Sequence, residues 1–253
     1  MSNFGQELKT WRTTRRLSQL ALATDSGISA RHLSFLETGR ARPSRGMILR
    51  LTDCLNIPRP ARNHMLVAAG FAPAYPEIKR DAEMLAPFSQ AIDRMLEKHA
   101  PYPASVMDRE WCILQMNAPA QLLFGGVGLQ VGQSLIDILL ETNIGPEVVE
   151  NWPEFGHHIL MRLRAESAEA GGLASLDKAA QILADDPAIA SYEPPIPLPA
   201  VTPTRFRAGP TTLSLFSTFA QFGSAEEVTL SDLKIELLFP CDEATRLFLE
   251  QLG

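Results

Sequence analysis

The sequence has few cysteines, no long apolar run and no leader-like start. Its three cysteines, Cys54, Cys112 and Cys241, are far apart and form no CxxC pair, which is typical of unpaired thiols in a reducing compartment. No apolar run approaches the roughly 20 residues that a bilayer-spanning helix needs. The first ten residues lack the apolar stretch of a signal peptide. We therefore expect a cytoplasmic protein with no membrane partner.

Motifs of catalytic and metal sites are also missing. HExxH, GxSxG and GxxxxGK[ST] do not occur in the sequence. The glycine-rich stretch "GVGLQVG" (126–132) follows a predicted helix instead of a strand, which argues against a dinucleotide loop. His157 and His158 are adjacent, so a helix would separate their rings by about 100°, a poor geometry for chelation. We expect no enzyme activity, no cofactor and no metal site.

What the sequence does contain is a strong division of charge. Residues 1–70 hold 11 Lys and Arg against 4 Asp and Glu, whereas residues 71–253 hold 12 against 25. The overall formal charge of −6 therefore combines +7 in the first segment with −13 in the second. Such asymmetry indicates a polyanion-binding module joined to an acidic partner domain.

The basic segment has the pattern of a five-helix domain. Phe4, Leu8 and Trp11 recur at helical spacing, which predicts a first helix that ends near Leu17. Ser18 and Ser29 are suited to cap a second and a third helix, separated by a turn at Gly27. Gly39 ends the third helix, and two more helices are predicted around residues 48–55 and 59–69. The second and third helices form a helix-turn-helix.

The stretch "SQLALATDSGISARHLSFLETGRARPS" (18–44) resembles the Cro/C1-type helix-turn-helix of the xenobiotic-response-element (XRE) family of bacterial regulators. The resemblance covers about the first seventy residues and implies that the third helix enters the DNA major groove. It also implies a phosphate contact from Gln19 and a structural ion pair between Arg12 and Glu37.

The predicted DNA-binding residues lie on and around the third helix. Arg31 is suited to bond guanine, and Ala30 or Phe35 to meet a thymine methyl group. Arginines that follow the helix are suited to hold phosphates without reading sequence. Two alternatives stay open, since Phe35 could belong to the core and His32 could cap locally. The full predicted set is Gln19, Ser29, Ala30, Arg31, His32, Ser34, Phe35, Arg40, Arg42 and Arg45.

We predict that residues 1–70 form the helix-turn-helix domain, 71–82 a linker and 83–253 an acidic α+β domain, which makes the chain α+β overall. The linker contains Pro73 and Pro76 and has no apolar periodicity. The second domain begins with a helix from about residue 83 to 98, a hairpin of 104–107 and 111–116, and a helix of 118–124. Further helices are predicted near 133–140, 152–170 and 173–184, then an irregular segment at 192–204. Strands at 211–222 and 233–239 and a helix at 242–252 follow.

This second half resembles the MmyB-like ligand-binding domain, a PAS-like module that accompanies this type of helix-turn-helix in many bacterial regulators. The resemblance is carried by "HAPYPASVMDREWCILQMNAPAQLLF", "HHILMRLRAE" and "RFRAGPTTLSLFSTFAQFGSAEEVTLSDLKIELLFPCDEAT". It implies a buried apolar pocket, and members of the family hold fatty-acid-like molecules.

The candidate ligand-binding residues are Trp111, Asn117, Phe124, Arg162, Phe216 and Phe219. Each has an alternative: the aromatic side chains could simply fill a core, and Asn117 could cap the helix that follows it. Arg162 and Arg164 lie about 200° apart on a helix, so at most one of them faces a pocket. Arg205 and Arg207 would share one face of a strand, as an anion site or as a surface stripe.

These patterns together favour a regulator that binds a two-fold DNA operator as a homodimer and senses a small apolar, fatty-acid-like ligand. The alternative is an antitoxin- or phage-type DNA-binding adaptor whose C-terminal half binds a protein partner.

Overall fold

The computed structural model describes residues 4–75, 85–141, 144–197, 199–222 and 232–252. Within these ranges the chain divides into two compact units. Residues 4–75 make up most of the first unit, and residues 85–164 and 174–252 contain the bulk of the second.

The first unit is built from five helices. These are α1 (Phe4–Thr14), α2 (Gln19–Ser26), α3 (Ala30–Glu37), α4 (Arg45–Cys54) and α5 (Arg59–Ala68). Serine side chains accept a hydrogen bond from the first turn of three helices: Ser18 for α2, Ser29 for α3 and Ser44 for α4. These caps satisfy backbone N–H groups that a helix leaves without partners, and they mark where each helix begins.

Apolar side chains at helical spacing close a core among the five helices. Leu8, Leu22, Leu33 and Ile48 are fully buried in it, and Trp11 is 5% exposed. Gly5 packs directly against α3, since an added Cβ would lie 2.5 Å from the carbonyl oxygen of Leu36. The five predicted helices are confirmed, although α1 ends at Thr14, three residues before the predicted end.

The second unit combines helices with strands that form one sheet among the described residues. Its elements in chain order are α6 (Ala86–His99), β1 (Ala104–Met107), β2 (Ile113–Met116), α7 (Ala118–Gly125), α8 (Leu135–Glu141), α9 (Gly145–Val148), α10 (Trp152–Ala170), α11 (Ala174–Asp185), α12 (Pro187–Ala190), β3 (Thr204–Ala208), β4 (Thr211–Ala220), β5 (Lys234–Pro240) and α13 (Glu243–Leu252).

The five strands form an antiparallel sheet in the order β2-β1-β5-β4-β3. The strands from the two ends of the unit meet at its centre, where β5 pairs with both β1 and β4. In that register Glu236 stands opposite Ser105 on one side and opposite Phe219 on the other. Apolar residues of α6, β1 and β5 form one core cluster of the unit, with Ile92, Val106 and Ile235 buried in it.

The predicted α+β class is confirmed, and the elements differ from expectation in a few places. The hairpin strand predicted from residue 111 begins at Ile113, because Trp111 adopts a left-handed backbone conformation with φ of 63° in the connecting turn. The segment predicted as irregular up to residue 204 ends where β3 begins. The short helices α9 and α12 were not predicted. Most of the predicted linker, from residue 76, lies outside the described residues.

Across the ranges that the structure covers, no helix is both long and apolar enough to cross a membrane.

Candidate nucleic-acid interface and ligand cavity

The α2–turn–α3 unit is shaped by two local signals. Gly27 adopts φ of 67°, a left-handed conformation that ends α2. Its N–H donates to the carbonyls of both Ala23 and Thr24. Two residues later the Ser29 side chain accepts a hydrogen bond from the N–H of His32 at 3.1 Å. Because glycine adopts this conformation without steric cost, the turn is tight and α3 begins at a defined position.

One face of α3 is buried and the opposite face is open to solvent. Leu33 and Leu36 point into the core, whereas Arg31 is exposed and Phe35 is partly exposed. The guanidinium carbon of Arg31 lies 5.3 Å from the centre of the Phe35 ring. Phe35 does not belong to the buried cluster of the first unit, so the core alternative loses support. The two side chains form one exposed surface of a cation and an aromatic ring.

The remaining predicted residues of this helix have mixed environments. Ser29 is exposed and caps the helix, so its hydroxyl already has one backbone partner. Ala30 packs against the edge of the core. Ser34 and His32 are partly exposed, and the His32 N–H, not its ring, takes part in the cap. The local role of His32 at the cap is therefore through its backbone.

Three arginines that follow α3 are exposed. Arg40, Arg42 and Arg45 lie between the end of α3 and the first turn of α4. The backbone N–H of Arg40 bonds the carbonyl of Phe35 at 2.8 Å, which fixes the chain directly after the helix. Three solvent-exposed cations therefore follow α3 directly in the chain.

Gln19 has a partner inside the protein. Its amide donates to Glu37 Oε2 at 2.8 Å, and Glu37 also accepts two bonds from Arg12, at 2.6 Å to Oε1 and 3.1 Å to Oε2. Arg12 further donates to the carbonyl of Leu17 at 2.8 Å. The ion pair implied by the family resemblance is confirmed. The phosphate contact of Gln19 stays a prediction, and the second N–H of its amide is the group suited to it.

The pKa of Glu37 reflects this network. Burial of the carboxyl group acts to raise its pKa, but the hydrogen bonds from Arg12 and Gln19 outweigh burial and hold the pKa below its usual value. Glu37 is therefore ionised at neutral pH, and the bidentate pair ties α1 to α3.

The second unit contains a cavity of about 400 Å³ between its sheet and helices α7, α8 and α10. This volume lies in the range of small-molecule sites. Its lining is mostly apolar and includes Ile113, Phe124, Leu135, Phe155, Phe206 and Leu238.

Arg162 of α10 lines this cavity and stacks on two aromatic rings. Its guanidinium carbon lies 4.4 Å from the ring centre of Trp111 and 3.5 Å from that of Phe219. Arg164 is exposed and does not line the cavity, in agreement with the expectation that at most one of the two arginines faces a pocket. Stacking of this kind holds a cation against an apolar wall.

The loop before β2 presents the Trp111 ring to the cavity. The Asp108 carboxylate accepts hydrogen bonds from the N–H groups of Glu110 at 2.8 Å and Cys112 at 2.9 Å. The Trp111 N–H donates to the Asp108 carbonyl at 3.1 Å. This turn keeps Trp111 at positive φ, an uncommon conformation for a bulky residue.

Asn117 lies at the start of α7 and does not line the cavity. Its side chain accepts from the N–H groups of Ala104 and Ala120 at 2.9 and 3.0 Å. It donates to the carbonyls of Leu96 and Tyr102 at 3.1 and 2.9 Å. All four bonds go to backbone groups, so the structure places this side chain in the capping role that the sequence left open.

The three predicted phenylalanines differ in position. Phe124 and Phe216 line the cavity, where Phe124 meets Phe206 edge-on and Phe216 stacks on Phe239. Phe219 is 38% exposed and is not part of the cavity lining, but its ring contacts Arg162, which is.

Two further arginines were candidates for an anion site on β3. Arg205 pairs with Glu150 at 3.1 Å. Arg207 lines the cavity and donates to the carbonyls of Pro146 and Glu147. Each of these arginines has acceptors within the protein itself.

Sequence reasoning missed six polar residues of the cavity wall: Ser105, His158, Thr202, Thr204, Ser217 and Glu236. His158 has a lowered pKa, first because its imidazole is desolvated and second because Arg162 lies nearby. The helical spacing of Phe155, Ile159 and Arg162 indicates one face of α10. His158 is four residues before Arg162, so the spacing could have placed it on that face as well. Glu236 was signalled as the one acidic residue of the largely apolar strand "KIELLFP".

In the described part of the chain, no group of three or more His, Cys, Asp or Glu side chains could hold a metal ion.

A helix-turn-helix with an exposed cationic recognition face, followed by an α+β unit that encloses an apolar cavity, defines a two-part DNA-binding regulator with a ligand-binding domain. Comparison with known families agrees with this class. Residues 88–252 match the MmyB-like transcription regulator ligand binding domain, and residues 3–65 match a helix-turn-helix domain. The chain belongs to the family of MmyB-like transcription regulators.

A relative is the HTH-type transcriptional regulator RghRB of Bacillus subtilis (strain 168). The two are 39% identical over 83 residues, which is 32% of this chain. The chain covers 58% of the length of that relative.

Proposed function

We propose that the chain is a sequence-specific transcription regulator in the cytoplasm, which binds a two-fold operator as a homodimer. In this proposal α3 enters the major groove, Arg31 bonds a guanine, and Phe35 contacts an adjacent thymine methyl group. Arg40, Arg42 and Arg45 hold the phosphates beside the groove.

The observation that carries the proposal is the exposed face of α3. Arg31 and Phe35 are in contact with each other and turned away from the core. Four exposed arginines on α3 and directly after it, one of them against the partly exposed Phe35 ring, are well suited to a polyanion with apolar groups in its groove.

We further propose that the second unit is a PAS-like sensor of a small, fatty-acid-like molecule. Support comes from the 400 Å³ cavity with a mostly apolar lining and a few polar groups. A ligand there would shift the equilibrium between arrangements of the dimer, one of which spaces the two recognition helices by about 34 Å, one turn of DNA.

DNA recognition is tested with an operator selected from a random duplex pool by the full chain. Arg31→Ala should weaken binding to that operator by about 1–3 kcal/mol and leave binding to non-operator DNA nearly unchanged. Arg94→Ala is the matched control, because it removes the same charge from an exposed position of the second unit. Equal losses of operator and non-operator binding in Arg31→Ala would contradict base recognition by this residue.

Ligand sensing is tested by extracting the purified chain and identifying co-purified molecules by mass spectrometry. We expect an amphipathic molecule with an alkyl chain, and we expect its removal and return to change operator affinity. A tightly bound protein in place of a small molecule would favour the adaptor alternative.

A further inference from the structure

The exposed face of α3 carries a cation and an aromatic ring in contact. Arg31 and Phe35 are one helical turn apart, and the guanidinium carbon lies 5.3 Å from the ring centre. Arg31 is exposed and Phe35 is partly exposed. A guanidinium group this close to a ring face is attracted to it, which limits the directions that the arginine samples. The two side chains therefore present one polar and one apolar contact side by side.

The backbone of Phe35 is held near the end of α3. Its carbonyl accepts the N–H of Arg40 at 2.8 Å and the N–H of Ala41 at 3.1 Å. The other apolar residue of α3 that is suited to a methyl contact, Ala30, packs against the edge of the core. Phe35 is therefore the larger apolar group that this helix offers to DNA.

The distance between the two groups matches neighbouring base pairs. Base pairs of B-DNA follow one another at about 3.4 Å, so a ring centred 5.3 Å from the guanidinium carbon lies within reach of the base pair next to a guanine that Arg31 bonds. The apolar group that a base presents in the major groove is the 5-methyl group of thymine. The pair therefore fits a guanine next to a pyrimidine with a 5-methyl group.

A phenyl ring contacts this methyl group without identifying the base that carries it. Phe35 has no hydrogen-bonding group, so it cannot distinguish O4 of thymine from the N4 amino group of cytosine. The hydroxyl of Ser34, the preceding residue, can both donate and accept and therefore favours neither base. Because 5-methylcytosine carries its methyl group at the same ring position as thymine, recognition by Phe35 depends on the methyl group alone.

We propose that the Arg31–Phe35 pair recognises a guanine next to a 5-methylpyrimidine, and that it accepts 5-methylcytosine in place of thymine. The proposal rests on the proposed function, since it assigns the base step that α3 contacts. Binding at this step is then sensitive to methylation of cytosine in DNA. A methylated duplex is bound like the thymine operator, and its unmethylated counterpart is bound more weakly.

Synthetic duplexes of the selected operator test this contact on the full wild-type chain. Each thymine next to a guanine is replaced singly by deoxyuridine, which removes only the methyl group, and then by cytosine or 5-methylcytosine paired with guanine. Dissociation constants are measured by fluorescence anisotropy at one salt concentration. At one such position we expect thymine over deoxyuridine, and 5-methylcytosine over cytosine, to be preferred about fourfold each, which corresponds to the burial of one methyl group.

Two variants assign the effect to the ring. Phe35→Ala should reduce both preferences to less than about 1.5-fold while the operator is still bound more tightly than non-operator DNA through Arg31. Alanine favours the helical conformation, and a thermal melt checks that the domain is folded. Val67→Ala is the matched control, because it removes an apolar side chain from an exposed position of α5 and should retain both preferences.

The failures of the two proposals are distinguishable. A selected operator without a thymine next to a guanine, or equal binding of thymine and deoxyuridine at every such position, overturns the methyl contact and leaves sequence-specific binding standing. Equal binding of cytosine and 5-methylcytosine overturns the acceptance of the methylated base. Preferences that persist in Phe35→Ala overturn the role of Phe35. If the random pool yields no operator, the proposed function is overturned as well.

Discussion

The two regions of this protein use an arginine in opposite ways. In the helical unit, Arg12 is 8% exposed and is held by Glu37 and by the carbonyl of Leu17. In the α+β unit, Arg162 is stacked on two aromatic rings and borders a cavity of about 400 Å³. The first arginine completes a packed core, and the second lines an apolar cavity.

The difference extends to the packing around each residue. Helices α1 to α5 close a single cluster in which leucines and isoleucines are fully buried. The second unit has smaller clusters on its sheet and keeps an open apolar volume beside them. Tight packing fixes the position of α3, whereas an open volume leaves room for an occupant. The arginine therefore closes a core in one region and borders an open volume in the other.

The largest effect is expected at the buried pair of the helical unit. Arg12→Ala leaves the Glu37 carboxylate buried without its cation, so we expect the free energy of unfolding to fall by about 3–5 kcal/mol. Urea denaturation followed by circular dichroism measures this loss. Arg94→Ala, at an exposed position, should change stability by less than about 0.5 kcal/mol. A loss below about 1 kcal/mol in Arg12→Ala would mean that the pair contributes no more than a surface salt bridge.

Low pH should remove the same ion pair by protonating Glu37. The pKa of Glu37 is held below its usual value of 4.5, so the pair stabilises the fold fully above that value and is lost as the pH falls through the lowered pKa. Stability between pH 6 and pH 3 should therefore decline less steeply in Glu37→Gln than in the wild-type chain. Parallel declines in the two proteins would count against this assignment.

Asn117 tests whether a buried polar group of the second unit is structural. Asn117→Ala removes four hydrogen bonds to backbone groups, for which we expect a loss of about 2–3 kcal/mol in unfolding free energy. Dodecanoate affinity, measured well below the unfolding transition, should be unchanged because Asn117 does not line the cavity. The opposite result, unchanged stability with weakened binding, would return Asn117 to a ligand-contacting role.

The smallest expected effect is the gain in affinity for each methylene group of a fatty acid, which tests whether the cavity holds the alkyl chain. Each additional methylene group of a fatty acid should add about 0.8 kcal/mol, or about fourfold in affinity, as long as the chain still fits. Affinities for acids of eight to sixteen carbons should therefore rise and then level off. A series with no dependence on length would show that the chain does not enter the cavity.

The parts of the fold that local patterns decide were predictable. Ser18 and Ser29 cap the starts of α2 and α3, and Gly27 ends α2 through its left-handed backbone conformation. Each of these signals can be recognised within a few residues of sequence. The apolar spacing on α10 predicted a helix of residues 152–170, which the structure contains. The five predicted helices of the first unit were recovered for the same reason.

Two other features could not be predicted from apolar spacing. Trp111 was predicted to begin a strand, but the hydrogen bonds of Asp108 turn it into a loop with positive φ. Asn117 bonds both α6 and β1 as well as its own helix. The Trp111 turn is set by a local polar side chain, which apolar spacing does not report. The partners of Asn117 in α6 and β1 become its neighbours only after the unit folds.

The sequence by itself determined the cationic helix-turn-helix, the division of charge and the class of each unit, because caps, helical periodicity and composition act locally. Only the tertiary structure decided that Ser105, Arg162 and Glu236 face one volume. They come from β1, α10 and β5. Antiparallel pairing of β1 with β5 places Ser105 opposite Glu236, and Arg162 of α10 lies over the Trp111 and Phe219 rings. The register of that pairing, and with it the chemistry of the cavity wall, is set by packing on both faces of the sheet, and no short stretch of sequence encodes it.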